Sequence, residues 1–174
     1  MVVARTVAEA HLFMDIAGCD PERSHKLMAD GDVLITVYQT ICNGNARTFE
    51  FRVLEGEIGA EDGGVVFGRA EASQLLDPAQ FLLQASKIAR TVPASPVGLD
   101  DEQRREANRR MQRAAACLEE VLKFIPEGRD DMPKTAFHTI VGARMHRANP
   151  DRFSRGRVTA VLNSYRETAA GHRG

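Results

Sequence analysis

An α+β fold in one domain is predicted for this chain from three observations. Residues near the N-terminus recur at helical spacing, a central stretch alternates with strand period between turn signals, and the C-terminal half reads as successive amphipathic helices. The predicted layout is a helix plus a three-stranded antiparallel meander over 1–56, an acidic glycine-rich loop over 57–76, and a helical part of about four helices over 77–174. At 174 residues, folding buries roughly 70% of the surface that the unfolded chain exposes, so a core forms without staples.

Thr6-Val7-Ala8-Glu9 has the form of a capping box, with a hydroxyl and a carboxylate placed to satisfy free amides at a helix start. Val7, Ala10, Phe13 and Met14 follow at helical spacing, and Gly18 stops the run. Ser24 to Ala29 reads as a first strand, and Asp30-Gly31 as the hairpin turn after it. Val33, Ile35, Val37 and Ile41 then alternate with Thr36, Tyr38 and Thr40. After a second turn at Asn43-Gly44, Phe49, Phe51 and Val53 alternate with Thr48, Glu50 and Arg52. One face of this meander is expected to gather β-branched and aromatic residues and to pack on helices. The stretch that follows carries Glu57, Gly59, Glu61, Asp62, Gly63, Gly64 and Gly68, which predicts a long exposed loop; Gly63-Gly64 lacks the strand-then-helix context of a phosphate loop.

Asp77-Pro78-Ala79-Gln80 places a cap, a first-turn proline and a third-position glutamine at the start of a helix whose stripe is Phe81, Leu82, Ala85, Ile88 and Ala89. Pro93 and Pro96 break the chain. Asp100, Asp101 and Glu102 open a long helix, where negative charge suits the N-terminal dipole. Its stripe is Ala107, Met111, Ala114, Leu118, Val121, Leu122 and Ile125, closed by Pro126 and Gly128. A shorter helix runs from Val141 to Ala148 and ends at Asn149-Pro150. The last one holds Val158, Val161, Leu162 and Tyr165, with Gly171 past its final turn.

Composition limits the function classes. No tryptophan and few other aromatic residues leave little to stack on bases or sugars. The N-terminal stretch, interrupted by Arg5, Glu9 and His11, reads as neither a signal peptide nor a membrane span, so a cytoplasmic protein with reduced thiols is expected. The net charge of -1 conceals an asymmetry: residues 1–128 carry 14 Lys and Arg against 20 Asp and Glu, whereas 129–174 carry 9 against 4. The basic excess is nearly all arginine, whose planar fork suits carboxylates and phosphates.

Cys19, His25 and Cys42 are borderline-to-soft ligands that the meander could gather, but a closed zinc site needs four. Pro21 and Asn45 stand where partner cysteines would complete the two knuckles. The ribbon is therefore degenerate, and neither metal nor cofactor is expected. Two small buried thiols are the expectation; a Cys19–Cys42 disulfide is conceivable but opposed by a reducing cytoplasm. Cys117, within an alanine-rich apolar stripe, is expected to be buried and inert. No nucleophile elbow or Ser–His–Asp arrangement emerges from the five histidines, so no catalytic residue is assigned. Glu61-Asp62, Glu119-Glu120 and Asp130-Asp131 fit no metal-ligand spacing, and Glu119-Glu120 is expected on the solvent side of its helix. Arg144, Arg147, Arg152, Arg155 and Arg157 cluster around Asn149-Pro150. They are the candidate binding residues, better suited to a protein partner than to nucleic acid because aromatic interleaving is slight and the overall pI is near neutral.

Several segments resemble an uncharacterised bacterial family with an EAHLxMD-type opening. They are Ala8-Glu9-Ala10-His11-Leu12-Phe13-Met14-Asp15-Ile16, the cysteine turns at Cys19 and Cys42, Leu76-Asp77-Pro78 with Phe81, Leu118 to Pro126, Pro150 with Arg152-Phe153, and Leu162 to Tyr165-Arg166. The resemblance implies a zinc-ribbon-like module, degenerate here, joined to a helical part. It implies no activity and transfers no catalytic residue.

The function expected from these observations is a non-enzymatic protein-binding or regulatory protein, with the immunity type as one form, acting through a protein partner or a second copy of itself. One alternative is a small ligand-binding protein or enzyme with a pocket between sheet and helices, drawing on His11, Tyr38, His138 and Arg144. The other is nucleic-acid binding through the arginine cluster.

Overall fold

The computed structural model describes residues 2–30, 33–54 and 65–173. Its elements are β1 (Val2–Ala4), α1 (Val7–Ile16), β2 (Ser24–Asp30), β3 (Val33–Cys42), β4 (Asn45–Val53), α2 (Pro78–Ala89), α3 (Asp101–Lys123), α4 (Ile140–Ala148) and α5 (Arg155–Gly171), with 3-10 turns at Lys134–Ala136 and Pro150–Phe153. They form two compact units: the described residues through 54 together with 66–76, and Val65 with 77–173. Gly31 of the first expected hairpin turn, Glu61-Asp62 and Gly63-Gly64 lie outside the described residues.

The first unit is α+β, with a mixed sheet in the order β1-β4-β3-β2 among the described residues. The expected three-stranded antiparallel meander is thus corrected: β1 adds a fourth strand, parallel to β4, with Val2 opposite Phe51 and Ala4 opposite Val53. Three residues are too short to show a period, which is why this strand leaves no mark in the sequence.

Hairpin geometry decides which face is buried. Asn43 and Gly44 have φ of 50° and 80°, the two positive values that a tight two-residue hairpin turn requires. Cys42 therefore pairs with Asn45, and Tyr38 with Phe49. Directly opposed residues share a face, so Tyr38 and Thr36 join Phe49 and Phe51, whereas Ile35 and Val37 lie opposite Arg52 and Glu50. One face thus gathers β-branched and aromatic residues, as expected, with Thr36, Tyr38, Phe49, Phe51 and Val53 on it. The aromatic face meets α1 in a cluster of Ala4, Ala10, Met14, Tyr38, Phe51 and Val53. Phe13 meets Phe49 and Phe51 edge-on, with ring centroids 6.1 and 6.0 Å apart.

Helix α1 starts as its sequence indicates, with Thr6 Oγ1 accepting from the Glu9 amide at 3.2 Å. The Glu9 carboxylate, however, reaches the amide of Arg5 (2.6 Å) and the Arg5 guanidinium (2.7 Å and 3.0 Å). Both side chains are buried. The guanidinium also donates to the Glu71 carbonyl and lies against Gly68, where a Cβ would come within 2.6 Å of Arg5 Nη1. Part of the expected exposed loop is consequently interior: Phe67, Ser73 and Leu76 are buried. The Ser73 hydroxyl accepts from the amides of Leu75 and Leu76.

The exit of α1 is fastened to the hairpin. Gly18, at φ 74°, lets the chain turn back; a Cβ there would sit 2.7 Å from Asn43 Oδ1. Cys19 pairs with Cys42 in an antiparallel bridge and a disulfide joins them. The expectation of two reduced thiols is overturned. The bridge brings the two sulfurs together from 23 positions apart, and the cysteine pattern no longer points to a reducing compartment.

In the second unit α3 contacts both α2 and α5. Its buried face, including Ala107, Met111, Ala114, Leu118 and Val121, matches the expected stripe, and capping boxes at Asp77/Gln80 and Asp100/Gln103 begin α2 and α3. Asp77 does more than cap one helix. Its Oδ1 accepts from the Gln80 amide (3.0 Å), and its Oδ2 accepts from the Thr139 amide (3.1 Å) and hydroxyl (2.5 Å). Thr139 in turn caps α4 through the Gly142 amide (2.9 Å). One fully buried carboxylate thus organises the starts of two helices.

Candidate functional site

The strongest candidate lies on the second unit, along α4, the turn at Pro150–Phe153 and the first turns of α5. Thr139 caps α4, which starts at Ile140, one residue before the expected Val141. Gly142 is buried against Asp77, which turns the opposite side of this nine-residue helix to solvent. That side presents Ile140 (81% exposed), Val141 (54%), Arg144 and Arg147. Spacings of three and four residues place Ile140, Arg144 and Arg147 on neighbouring turns. Neither guanidinium has a hydrogen-bond or ion-pair partner among the described residues.

The chain then bends at Asn149-Pro150 and the 3-10 turn carries Arg152 outward while burying Phe153. Ser154 caps α5 through the Arg157 amide, and Asp130 accepts from the Gly156 amide. Between this segment and α2 lies a groove of about 670 Å³, lined by Leu82, Ser86, Asn149, Asp151, Arg152, Arg157, Val158 and Val161. The guanidinia of Arg152 and Arg157 have no partner among the described residues either.

Arg155 differs from its four neighbours. Its Nε donates to the Arg129 carbonyl (3.0 Å), and its Nη2 to those of Ile125 (3.0 Å) and Pro126 (3.1 Å), beyond the end of α3. It holds a turn together. The sequence grouping is therefore divided: four arginines face outward and one binds backbone.

The candidate pocket residues are spread over both units. His11 Nε2 lies 2.9 Å from the Tyr38 hydroxyl, and His25 tilts against the Tyr38 ring at 5.9 Å. Tyr38 is buried, so this contact serves the packing of α1 on the sheet. His138 is exposed on the other unit. His146 packs against Phe137 and Phe153, with centroids 4.5 and 6.0 Å away. His172 is buried at the end of α5, with Nδ1 2.8 Å from the Thr168 carbonyl.

With both sulfurs of Cys19 and Cys42 consumed, no group of three or more His, Cys, Asp or Glu among the described residues is placed to hold a metal ion. Cys117 is buried, and burial pushes its thiol up to about 12, a protonated and unreactive group. The acidic pair on α3 does not behave as one solvated unit. Exposed Glu119 meets Arg166 at 2.8 Å, whereas Glu120 is buried and pairs with Lys123 at 2.5 Å. No helix among the described residues is long and apolar enough to cross a membrane.

Sequence reading missed Ile140 and Val141 as surface residues, and Leu82, Val158 and Val161 as groove residues. The first pair carried a signal: both precede the buried Gly142 and fall off its face. The groove carried none, because its walls come from helices about 70 positions apart in sequence. Comparison with known proteins gives no matching family model, no matching curated protein and no matching solved structure.

Proposed function

We propose that this chain is a non-enzymatic protein-binding or regulatory protein, of which an immunity protein is one form, docking an acidic surface of its partner on α4. The observation that carries this reading is the exposure of Ile140 and Val141 beside the unpartnered Arg144 and Arg147 on one short helix. Aliphatic contacts supply buried apolar area, and arginine supplies orientation through paired carboxylates; arginine is enriched at interface hot spots for that reason. The positive balance of residues 129–174 adds long-range attraction for an acidic partner. A second copy meets the same requirement through the acidic balance of residues 1–128.

The nucleic-acid reading has less support. Phe137, Phe153 and His146 pack on one another, and exposed rings for base stacking are absent from α4 and the turn after it among the described residues.

Affinity capture from native lysate with tagged wild-type protein and with Ile140→Asp and Arg144→Glu/Arg147→Glu variants tests the proposal, alongside size exclusion over a range of salt. A discrete partner, or self-association, that both variants lose is expected. Identical capture by wild type and variants, or a solitary protein at every salt concentration, overturns it.

A further inference from the structure

We infer that the free edge of β2 pairs with the β2 of a second copy of this chain, antiparallel and about a two-fold axis at Leu27. This contact lies on the sheet unit and is independent of the docking face on α4.

The hairpin fixes which backbone groups are free. Cys42 and Asn45 flank a two-residue turn and form a hydrogen-bonded pair, so the even-numbered residues of β3 bond to β4. Odd-numbered β3 residues turn the other way, and the Ile41 carbonyl accepts from the Asp20 amide at 2.8 Å. Their opposites on β2 are Ser24, Lys26, Met28 and Asp30. The N–H and C=O groups of His25, Leu27 and Ala29 therefore point away from β3, and β2 ends the strand order among the described residues. Residues 24–29 are all exposed, Leu27 at 62% and Met28 at 48%. The register with β3 runs without a bulge and the strand holds no proline, so little blunts this edge.

Register selects the occupant. His25, Leu27 and Ala29 are spaced evenly about Leu27, so the strand complements itself. In a two-fold antiparallel pair centred there, Leu27 meets Leu27 of the second copy and His25 meets Ala29, which engages every outward group. A bulky ring then lies beside a methyl group. Lys26 falls opposite Met28, where its methylene stem covers the thioether while the ammonium stays in water. Moving the axis one residue toward the N-terminus would set Lys26 against Lys26, a like-charge pair. Moving it the other way carries His25 past the end of the second strand and leaves its groups unpaired. The opposite sheet edge, β1, has only three residues, so head-to-tail stacking of β2 on β1 would be short and the closed two-fold pair is favoured.

Sedimentation equilibrium of the full chain up to about 500 μM tests this, and a dimer with Kd of about 10–100 μM is expected because a seven-residue edge buries little area. Leu27→Lys brings two ammonium groups together at the axis, and Leu27→Pro removes an outward N–H that β3 does not use. Each is expected to weaken the dimer at least about tenfold. In a glutathione redox buffer, Leu27→Cys is expected to crosslink to itself, as is Lys26→Cys with Met28→Cys when the two proteins are mixed; Lys26→Cys alone is not. Ile140→Asp is expected to leave dimerisation unchanged. The inference falls if the chain is monomeric at the highest concentration, if Leu27→Lys dimerises like wild type, or if Lys26→Cys alone crosslinks as fast as Leu27→Cys. A dimer that Ile140→Asp abolishes overturns it too, and assigns self-association to α4.

Discussion

Alanine in place of Gly142 is expected to destabilise the helical unit, although helix propensity alone argues the reverse. Glycine-to-alanine within a helix gains about 1 kcal/mol. Here the added methyl would lie 2.2 Å from Asp77 Oδ2 and 2.8 Å from its Cγ, closer than atoms approach without displacement. A flexible surface carboxylate would swing aside at little cost. Asp77 is fully buried and held at both oxygens, by the Gln80 amide on one and by the Thr139 amide and hydroxyl on the other. Moving Oδ2 forfeits its two hydrogen bonds, worth about 1.5 kcal/mol each for a carboxylate acceptor. Less the propensity gain, the net loss is about 2 kcal/mol. Urea unfolding followed by far-ultraviolet circular dichroism measures this, with the m-value compared between variants. The decisive arm is Asp77→Ala. In that background the clash is gone, and Gly142→Ala should stabilise by up to about 1 kcal/mol, a coupling of about 3 kcal/mol against an additivity error near 0.5 kcal/mol. A Gly142→Ala protein as stable as wild type, or equal effects in both backgrounds, refutes the reasoning.

Three further outcomes concern the cysteines. Thiol titration without reductant should find no reactive group in the native protein near pH 8, one per chain in denaturant, and three after reduction, because Cys117 is buried and protonated and Cys19 is bonded to Cys42; three thiols in denaturant alone would disprove the bond. The raised Cys117 value gives its own sign: folding favours the neutral thiol, so this contribution is complete below pH 9 and is lost as pH rises from 9 toward 12, and Cys117→Ala should flatten that alkaline loss. Replacing Cys19 and Cys42 together with serine should cost about 3 kcal/mol, from the loop entropy released by a crosslink spanning 23 positions, read as a lower urea midpoint for the sheet unit. An unchanged midpoint would show that the bridge constrains nothing.

The hairpin illustrates how much was legible and where alternation alone stops short of register. Asn43-Gly44 is a two-residue turn, and that alone forces Cys42 opposite Asn45 and an even-numbered β3 residue opposite an odd-numbered β4 residue. Tyr38 and Thr36 therefore belong with Phe49 and Phe51, and register follows from the turn rather than from where the aliphatic residues fall. In the candidate site, the arginine grouping was visible as composition, but the separate role of Arg155 was not. Its acceptors are backbone carbonyls, and every residue type carries one.

Short-range chemistry was written in the chain itself. Caps at Thr6, Asp77 and Asp100, the stripe of α3 and the turn at Asn43-Gly44 depend on residues within a few positions of one another, so spacing alone specifies them. Tertiary structure decided the remainder: the parallel pairing of β1, the Cys19–Cys42 bond, burial of the Arg5–Glu9 pair beneath Gly68, and the reach of Asp77 to Thr139 across 62 positions. Each of these joins groups whose local surroundings would suit many partners. Only the folded path of the chain brings one partner within bonding distance, and burial then makes that choice costly to undo.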